Sequence, residues 1–135
     1  MRELRIIVTT PDPERFRGAL VTAAAQAALG GGASLFLQLE AVGLLRTPMA
    51  APQDDAHRAA GLPTLAALLD DAMGLGVTIA ACQSGLALCR LSAADLPAGV
   101  EPSGPVAFLQ ATDGAARLIL MSSLFVQTGP AAGGW

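Results

Sequence analysis

Apolar and polar residues alternate along this chain with two periods, one typical of strands and one typical of helices. The run from Leu4 to Thr9 is apolar and β-branched, and it predicts a first, central strand. Over 13–28 apolar residues recur at spacings of three and four, which predicts an amphipathic helix. Asp12 is placed to cap the start of this helix, and the glycines at 30–32 end it.

The same alternation continues to residue 121. The further predicted elements are a strand over 33–39, one helical turn over 41–45, a helix over 62–75, a strand over 77–81, a helix over 83–91, a short turn over 92–96, at most an edge-like strand over 99–102, a helix over 103–112 and a strand over 116–121. This order predicts an α/β domain in three layers, with helices on both faces of a mostly parallel sheet of about five strands.

Two stretches lack this periodicity. The segment 46–60 is the most polar part of the chain and predicts a surface loop. The segment 122–135 is rich in glycine and proline, and we expect a loosely held tail. The sequence therefore predicts a single domain over 1–121 followed by that tail.

Composition narrows the class of partner. The chain has 135 residues, of which 53% are hydrophobic and only 14% charged, with a net charge of −3. So few charges on a small domain indicate that part of the surface is covered, which predicts an oligomer. The chain has no basic run, and its aromatic residues are four Phe and one Trp, so we expect no nucleic-acid partner.

The uncharged stretch over 18–39 is long enough to span a membrane, but three consecutive glycines at 30–32 interrupt it. A helix, a glycine turn and a strand explain it better, so we expect no membrane span. The first residues do not have the pattern of a secretion signal. With two cysteines and no such signal, the sequence predicts free thiols in the reducing cytoplasm.

Cys82 is the candidate reactive residue. Ligands of parallel α/β sheets bind beyond the carboxyl ends of the strands, where Thr10 is also expected to bind substrate or to stabilise a thiolate. Cys82 directly follows the predicted strand 77–81, and it is the strongest nucleophile among the residues at the strand ends. The backbone N–H groups of Gln83, Ser84 and Gly85 would stabilise its thiolate. The alternative is that Cys82 is a small, buried apolar residue without a chemical role.

Other candidate groups fit chemistry less well. Cys89 lies about 10.5 Å further along the predicted helix, beyond the roughly 7 Å limit for a disulfide, and we expect it in the core. His57, the only histidine, lies in the polar loop, where a solvated side chain fits better than a general base. Glu40 follows a strand and could help to orient a substrate, but a solvated carboxylate fits better. No nucleotide-binding, hydrolase or zinc motif is present, so we expect no cofactor and no metal.

Three segments carry a resemblance to a known family. They are the cysteine segment Gly-Val-Thr-Ile-Ala-Ala-Cys-Gln-Ser at 76–84, Leu-Ser-Ala-Ala-Asp-Leu at 91–96 and Gly-Val-Glu at 99–101. Together with the order of the predicted elements they resemble the DsrE/DsrF-like superfamily of small sulfur-relay proteins. The similarity is closest to the stand-alone members often labelled predicted peroxiredoxins, although the residues that peroxiredoxin chemistry needs are not found.

The resemblance implies a DsrEFH-like α/β fold assembled as a homotrimer or homohexamer. It also implies that Cys82 carries sulfane sulfur as a persulfide, exchanged with a TusA-like or rhodanese-like partner. Members of this type often have methionines in the helix after the cysteine, where this chain has Gly85, Leu86 and Cys89. The other hypothesis is a non-catalytic oligomeric protein of the same fold, in which Cys82 is packed and inert.

Overall fold

The computed structural model describes residues 1–123, which form one five-stranded sheet in the order β4-β3-β2-β1-β5. All four strand pairs are parallel. The strands are β1 Leu4–Val8, β2 Ala33–Leu37, β3 Thr78–Cys82, β4 Glu101–Ser103 and β5 Arg117–Met121, and the helices are α1 Pro13–Ala28, α2 Asp54–Ala59, α3 Leu65–Gly74, α4 Gln83–Leu88 and α5 Pro105–Gln110. The predicted α/β class and parallel sheet are confirmed. Residues 124–135, most of the predicted tail, lie outside the described residues.

The two faces of the sheet are covered unequally. Side chains alternate between the faces along each strand, and one face buries Ile6 and Leu35 in the core that α1 and α3 cover. The chain reaches β5 by returning from β4 across the sheet, and right-handed crossovers place that connection on the opposite face. There the Phe108 ring of α5 stacks on Phe36 with 5.0 Å between ring centroids.

The helix ends explain where the predicted boundaries hold and where they shift. Gly30 and Gly76 take positive φ angles of 88° and 97° after α1 and α3, as the glycine signals predict. α4 ends at Leu88 rather than at the predicted residue 91, because Arg90 takes a φ of 56°. The Leu91 N–H then donates to the Leu86 carbonyl at 2.9 Å, so the chain turns out of the helix.

The segment 46–60 requires a correction, because residues 54–59 form α2 rather than loop. Asp54 is 8% exposed, and its carboxylate accepts hydrogen bonds from the backbone N–H groups of Ala51 and Leu65 at 3.0 and 2.9 Å. The Arg17 guanidinium donates to the same carboxylate at 3.0 Å. Gly61, with a φ of 79°, follows the helix end. The segment is therefore fixed to α1 and α3 by a buried carboxylate that the pattern of polar residues does not reveal.

Two short 3₁₀ helices complete the chain. The first spans Leu39–Leu45 and replaces both the predicted end of the second strand and the single turn expected at 41–45. It begins at Leu39 with a φ of 55°, which ends the extended backbone of β2. The second spans Ala93–Asp95, where Ser92 and Asp95 form a reciprocal capping box within the predicted turn.

Candidate functional site

Cys82 lies where the sequence places it, at the carboxyl edge of the sheet. It is the last residue of β3 and the N-cap of α4, with extended backbone angles of φ −64° and ψ 130°. Its thiol is free, it makes no capping hydrogen bond, and the residue is only 7% exposed. A residue at this position normally accepts hydrogen bonds from the first turn of its helix, so a thiolate here would face unpaired N–H donors.

The three residues after Cys82 do not play equal parts. Gln83 and Ser84 are exposed, whereas Gly85 is buried. A Cβ atom at position 85 would overlap the Val42 side chain and lie 3.0 Å from the Leu39 carbonyl oxygen. Gly85 therefore allows α4 to pack closely against the 3₁₀ helix. Because α4 has only six residues, local N–H groups would stabilise a thiolate more than a helix dipole would.

Thr10, the other predicted site residue, lies at the same edge but not beside Cys82. Its strand β1 is separated from β3 by β2, which places the two strand ends roughly 10 Å apart. Thr10 is 1% exposed, and its hydroxyl accepts from the Asp12 N–H at 3.2 Å and from the Ser123 hydroxyl at 2.9 Å. A substrate-binding role for Thr10 stays a prediction.

The sheet order reverses between β1 and β5, which is where open α/β sheets form their ligand crevice. A hollow of about 300 Å³ lies there. It is lined by Thr9, Pro11, Leu39, Glu40, Leu88 and Ser123. Glu40 is exposed, as expected, but Cys82 does not line this hollow. The crevice that the topology predicts and the candidate thiol are therefore separate places on one edge.

A second hollow, of about 270 Å³, lies beneath α5 on the face that Cys82 shares with Thr78 and Ala80. Its lining includes Ser103, the residue that pairs with Cys82 across β3 and β4. The Arg5 guanidinium lies in its wall, 4.0 Å from the centre of the Phe108 ring. The hollow under α5 therefore extends to the strand partner of Cys82, although Cys82 itself does not line it.

Cys89 follows α4 as its C-cap and is partly buried at the margin of the core. Its Sγ lies 3.8 Å from the Leu39 carbonyl oxygen and 3.9 Å from that of Glu40, so the thiol is a weak donor to both. Both cysteines are free. Cys89 thus packs α4 against the 3₁₀ helix, close to the core position that the sequence predicts.

His57 is not the solvated loop histidine expected from the sequence. It lies on α2 with its side chain 22% exposed, and its Nε2 is 2.7 Å from Glu14 Oε1. Glu14 also lies 3.3 Å from Arg17 Nε, and Arg17 pairs with Asp54. We call Glu14, Arg17, Asp54 and His57 the Arg17 cluster. Its residues were missed as a group because they are up to 43 positions apart in the chain.

The Arg17 cluster borders the largest of the hollows described here, about 530 Å³ between α1, α2 and α3. A histidine oriented by a carboxylate can act as a catalytic base when a nucleophile lies within hydrogen-bond distance of it. Thr22 also lines this hollow, but its hydroxyl donates to the Gly18 carbonyl at 3.0 Å. The contacts of the Arg17 cluster join α1 to α2 and to the start of α3.

Two properties of residues 1–123 bear on other classes of function. In that part of the chain, no three His, Cys, Asp or Glu side chains are grouped so that they could hold a metal ion. None of the helices described is both long enough and apolar enough to cross a bilayer.

The chain has the fold of two solved proteins, one from Methanobacterium thermoautotrophicum and one from E. coli. The protein of unknown function MTH1491 from Methanobacterium thermoautotrophicum superposes with a TM-score of 0.68 at 15% identity, covering 89% of this chain and 99% of its own. The ychN protein from E. coli superposes with a TM-score of 0.65 at 15% identity, covering 91% of this chain and 100% of its own. No protein-family model and no curated protein sequence matches the chain. The likeness is one of fold.

Proposed function

We propose that this protein is a DsrE-like sulfur carrier that holds sulfane sulfur on Cys82. The observation that carries the proposal is the position of Cys82, between β3 and α4 at the carboxyl edge of a fold shared with MTH1491 and ychN. The resemblance of segment 76–84 to the sulfur-relay superfamily supports the same residue.

The transfer needs one nucleophile and no redox partner. The Cys82 thiolate attacks the terminal sulfur of a donor persulfide, the donor S–S bond breaks, and the donor leaves as a thiolate. Cys82 then carries the terminal sulfur as a persulfide. An acceptor thiolate attacks that sulfur and releases the Cys82 thiolate again. Backbone N–H groups of Ser84 and Gly85 would donate to the sulfur anion at both stages.

The partner in this proposal is a TusA-like or rhodanese-like protein in the cytoplasm, and the carrier is a homotrimer or homohexamer. The low charge content supports assembly, since only 14% of the residues are charged. Burial of Cys82 requires that the partner's sulfur enters through an opening beside β3. The proposed entry is the hollow under α5, because Ser103, the strand partner of Cys82, lines it.

The experiment loads the protein with polysulfide and measures intact mass. We expect wild type to gain about 32 Da, one sulfur atom, and to lose it when dithiothreitol is added. Cys89→Ser is the matched control, because it removes the thiol at the other end of α4 and should still load. Loading that persists in Cys82→Ser would exclude the proposal.

A second candidate function rests on the burial of Cys82. At 7% exposure the thiol belongs to the apolar core, which favours a non-catalytic binding or assembly protein with an inert cysteine. Iodoacetamide labelling of Cys89→Ser separates the two hypotheses. Labelling of Cys82 in the folded protein, together with polysulfide loading, supports the carrier. Labelling only after denaturation, together with no polysulfide loading, supports the inert core residue.

A further inference from the structure

The two edges of the sheet differ in how they are protected from pairing with another strand. β4 is three residues long and contains Glu101 and Pro102. A charge, a proline and short length are the devices that keep an edge strand from pairing. β5 has five residues, Arg117 to Met121, with neither a proline nor any charge after its first residue. The sheet therefore has one protected edge and one unprotected edge.

The unprotected edge is also apolar on both faces. Leu118, Ile119 and Leu120 are 48%, 42% and 64% exposed. Parallel strands are normally covered on both faces, and β5 pairs with β1 along only one side. Within residues 1–123 no strand pairs with its other side. Such a strand is a template for a further strand.

The apolar surface continues onto α5. Ala107 and Ala111 line the hollow on the β3 side of this helix, so Leu109 projects toward the other side, above β1 and β5. Leu109 is 51% exposed. With Leu118 and Leu120 it extends the exposed apolar surface from the edge of the sheet onto α5.

The course of the chain after β5 bears on which segment covers that edge. The Ser123 hydroxyl donates to Thr10 Oγ1 at 2.9 Å, which brings the chain over the carboxyl end of β1. A tight hairpin back onto β5 would instead turn at 122–123 toward the outer side of the sheet. The chain thus leaves β5 on the side opposite to its free edge.

We propose that the outer edge of β5 pairs antiparallel with β5 of a second copy of this chain, about a twofold axis at Ile119. Leu118 then lies opposite Leu120 of the second copy, and the apolar stripe continues from one sheet into the next. Arg117 lies opposite Met121, so the two arginines are roughly 13 Å apart along the strands and do not repel. A twofold contact makes the assembly an even number of copies, so of the two assemblies proposed above it agrees with the homohexamer and not with the homotrimer.

The first experiment measures the molar mass of the full chain by light scattering and sedimentation. We expect an even number of copies for wild type and half that number, with at least tenfold weaker association, for Leu120→Glu. Leu75→Glu is the matched control, because Leu75 is 50% exposed after α3, and it should keep the wild-type mass. Circular dichroism and thermal melting establish that both variants fold.

Wild type as a monomer or trimer, or Leu120→Glu with unchanged mass, would overturn the pairing. A deletion of residues 124–135 tests whether the tail, instead of a second copy of the chain, covers the outer edge of β5. The deleted chain should keep the wild-type mass. If wild type is monomeric and only the deleted chain associates, the tail covers the edge and the proposal is wrong.

A cross-link tests the register. In a background without the native cysteines, Ile119→Cys faces its own copy across the axis, with Cα atoms about 5 Å apart and within disulfide reach. We expect a covalent dimer on mild oxidation, and only monomer from the control Leu75→Cys. Equal cross-linking of both variants would contradict the register. Neither outcome depends on persulfide loading of Cys82.

Discussion

The Arg17 cluster and the surroundings of Cys82 are built in opposite ways. In the cluster, Arg17 is held between two carboxylates, those of Glu14 and Asp54 at 3.3 and 3.0 Å. Around Cys82 the contacts are apolar, Gly85 packs on Val42, and the thiol has no capping partner. Of the two regions, the one with more titratable groups therefore uses its charges for contacts within the fold. The candidate for chemistry is a single thiol that makes no capping hydrogen bond to its helix.

The comparison shows why charge alone is a poor guide to a site. Arg17 and Asp54 attach α2 to α1 and α3, so their charges are used within the fold. A reactive sulfur instead needs N–H groups that have no other partner and can donate hydrogen bonds to it once it is ionised.

Removing the carboxylate of the Arg17 cluster should cost the most stability. Asp54→Ala leaves Arg17 and two backbone N–H groups without their partner, and we expect a loss of about 3–5 kcal/mol in urea unfolding. Asp55→Ala is the control, because Asp55 pairs with Arg58 at the exposed surface and should cost less than about 1 kcal/mol. Equal losses in the two variants would mean that the buried pair does not anchor α2.

Filling the space at Gly85 should damage the Cys82 region. Gly85→Ala places a methyl group against Val42, and we expect a loss of about 1–3 kcal/mol together with altered polysulfide loading. Gly18→Ala is the control, because nothing lies within 4 Å of a Cβ there and the helix should gain about 0.5–1 kcal/mol. A neutral Gly85→Ala would show that α4 is free to move away from the 3₁₀ helix.

Relieving the backbone at the end of α4 should stabilise the same region. Arg90→Gly removes the cost of a positive φ at a side-chain-bearing residue, and we expect a gain of about 0.5–1 kcal/mol. Arg58→Gly, in α2, should instead lose about 1 kcal/mol. Differential scanning calorimetry measures both. A loss at Arg90 would show that its side chain contributes more than its backbone strain costs.

Acid should weaken the Arg17 cluster by a smaller, graded amount. Hydrogen bonds from Ala51 and Leu65 N–H, and then Arg17, hold the pKa of Asp54 below its usual value. A lowered pKa contributes stability that is complete above the unfolded value, about 4, and is lost as pH falls through the folded value. The stability difference between wild type and Asp54→Asn should therefore shrink below about pH 4. A stability difference that does not change with pH would show that ionisation of Asp54 is not its source.

The sequence predicts much of this molecule because local patterns of residues indicate its strands and main helices. The apolar and β-branched residues of β1, interrupted only by Arg5, and the glycines after α1 and α3 predict the parallel α/β class. The position of Cys82 follows from the same local signals, since the run at 77–81 and the helix after it meet at that residue.

What the sequence does not reveal is decided by tertiary contacts. α2 has no apolar face, and its order depends on Asp54 meeting Arg17, 37 positions earlier. Gly61 after a segment that starts with two aspartates was a local sign of this helix, because acidic residues favour helix starts and glycine favours ends. The early end of α4 had no such sign, since an arginine takes the position that glycine usually occupies.

The short β4 has a consequence for how often Cys82 meets solvent. β4 pairs with β3 at only three positions, and the last of these joins Cys82 to Ser103. Short edge pairings open locally at much lower free energy than the whole domain unfolds. Detachment of β4 would uncover the thiol while the rest of the sheet stays intact. The reaction rate of Cys82 would then be its intrinsic rate multiplied by the fraction of time this edge is open, and amide exchange at Ser103 would report that fraction independently.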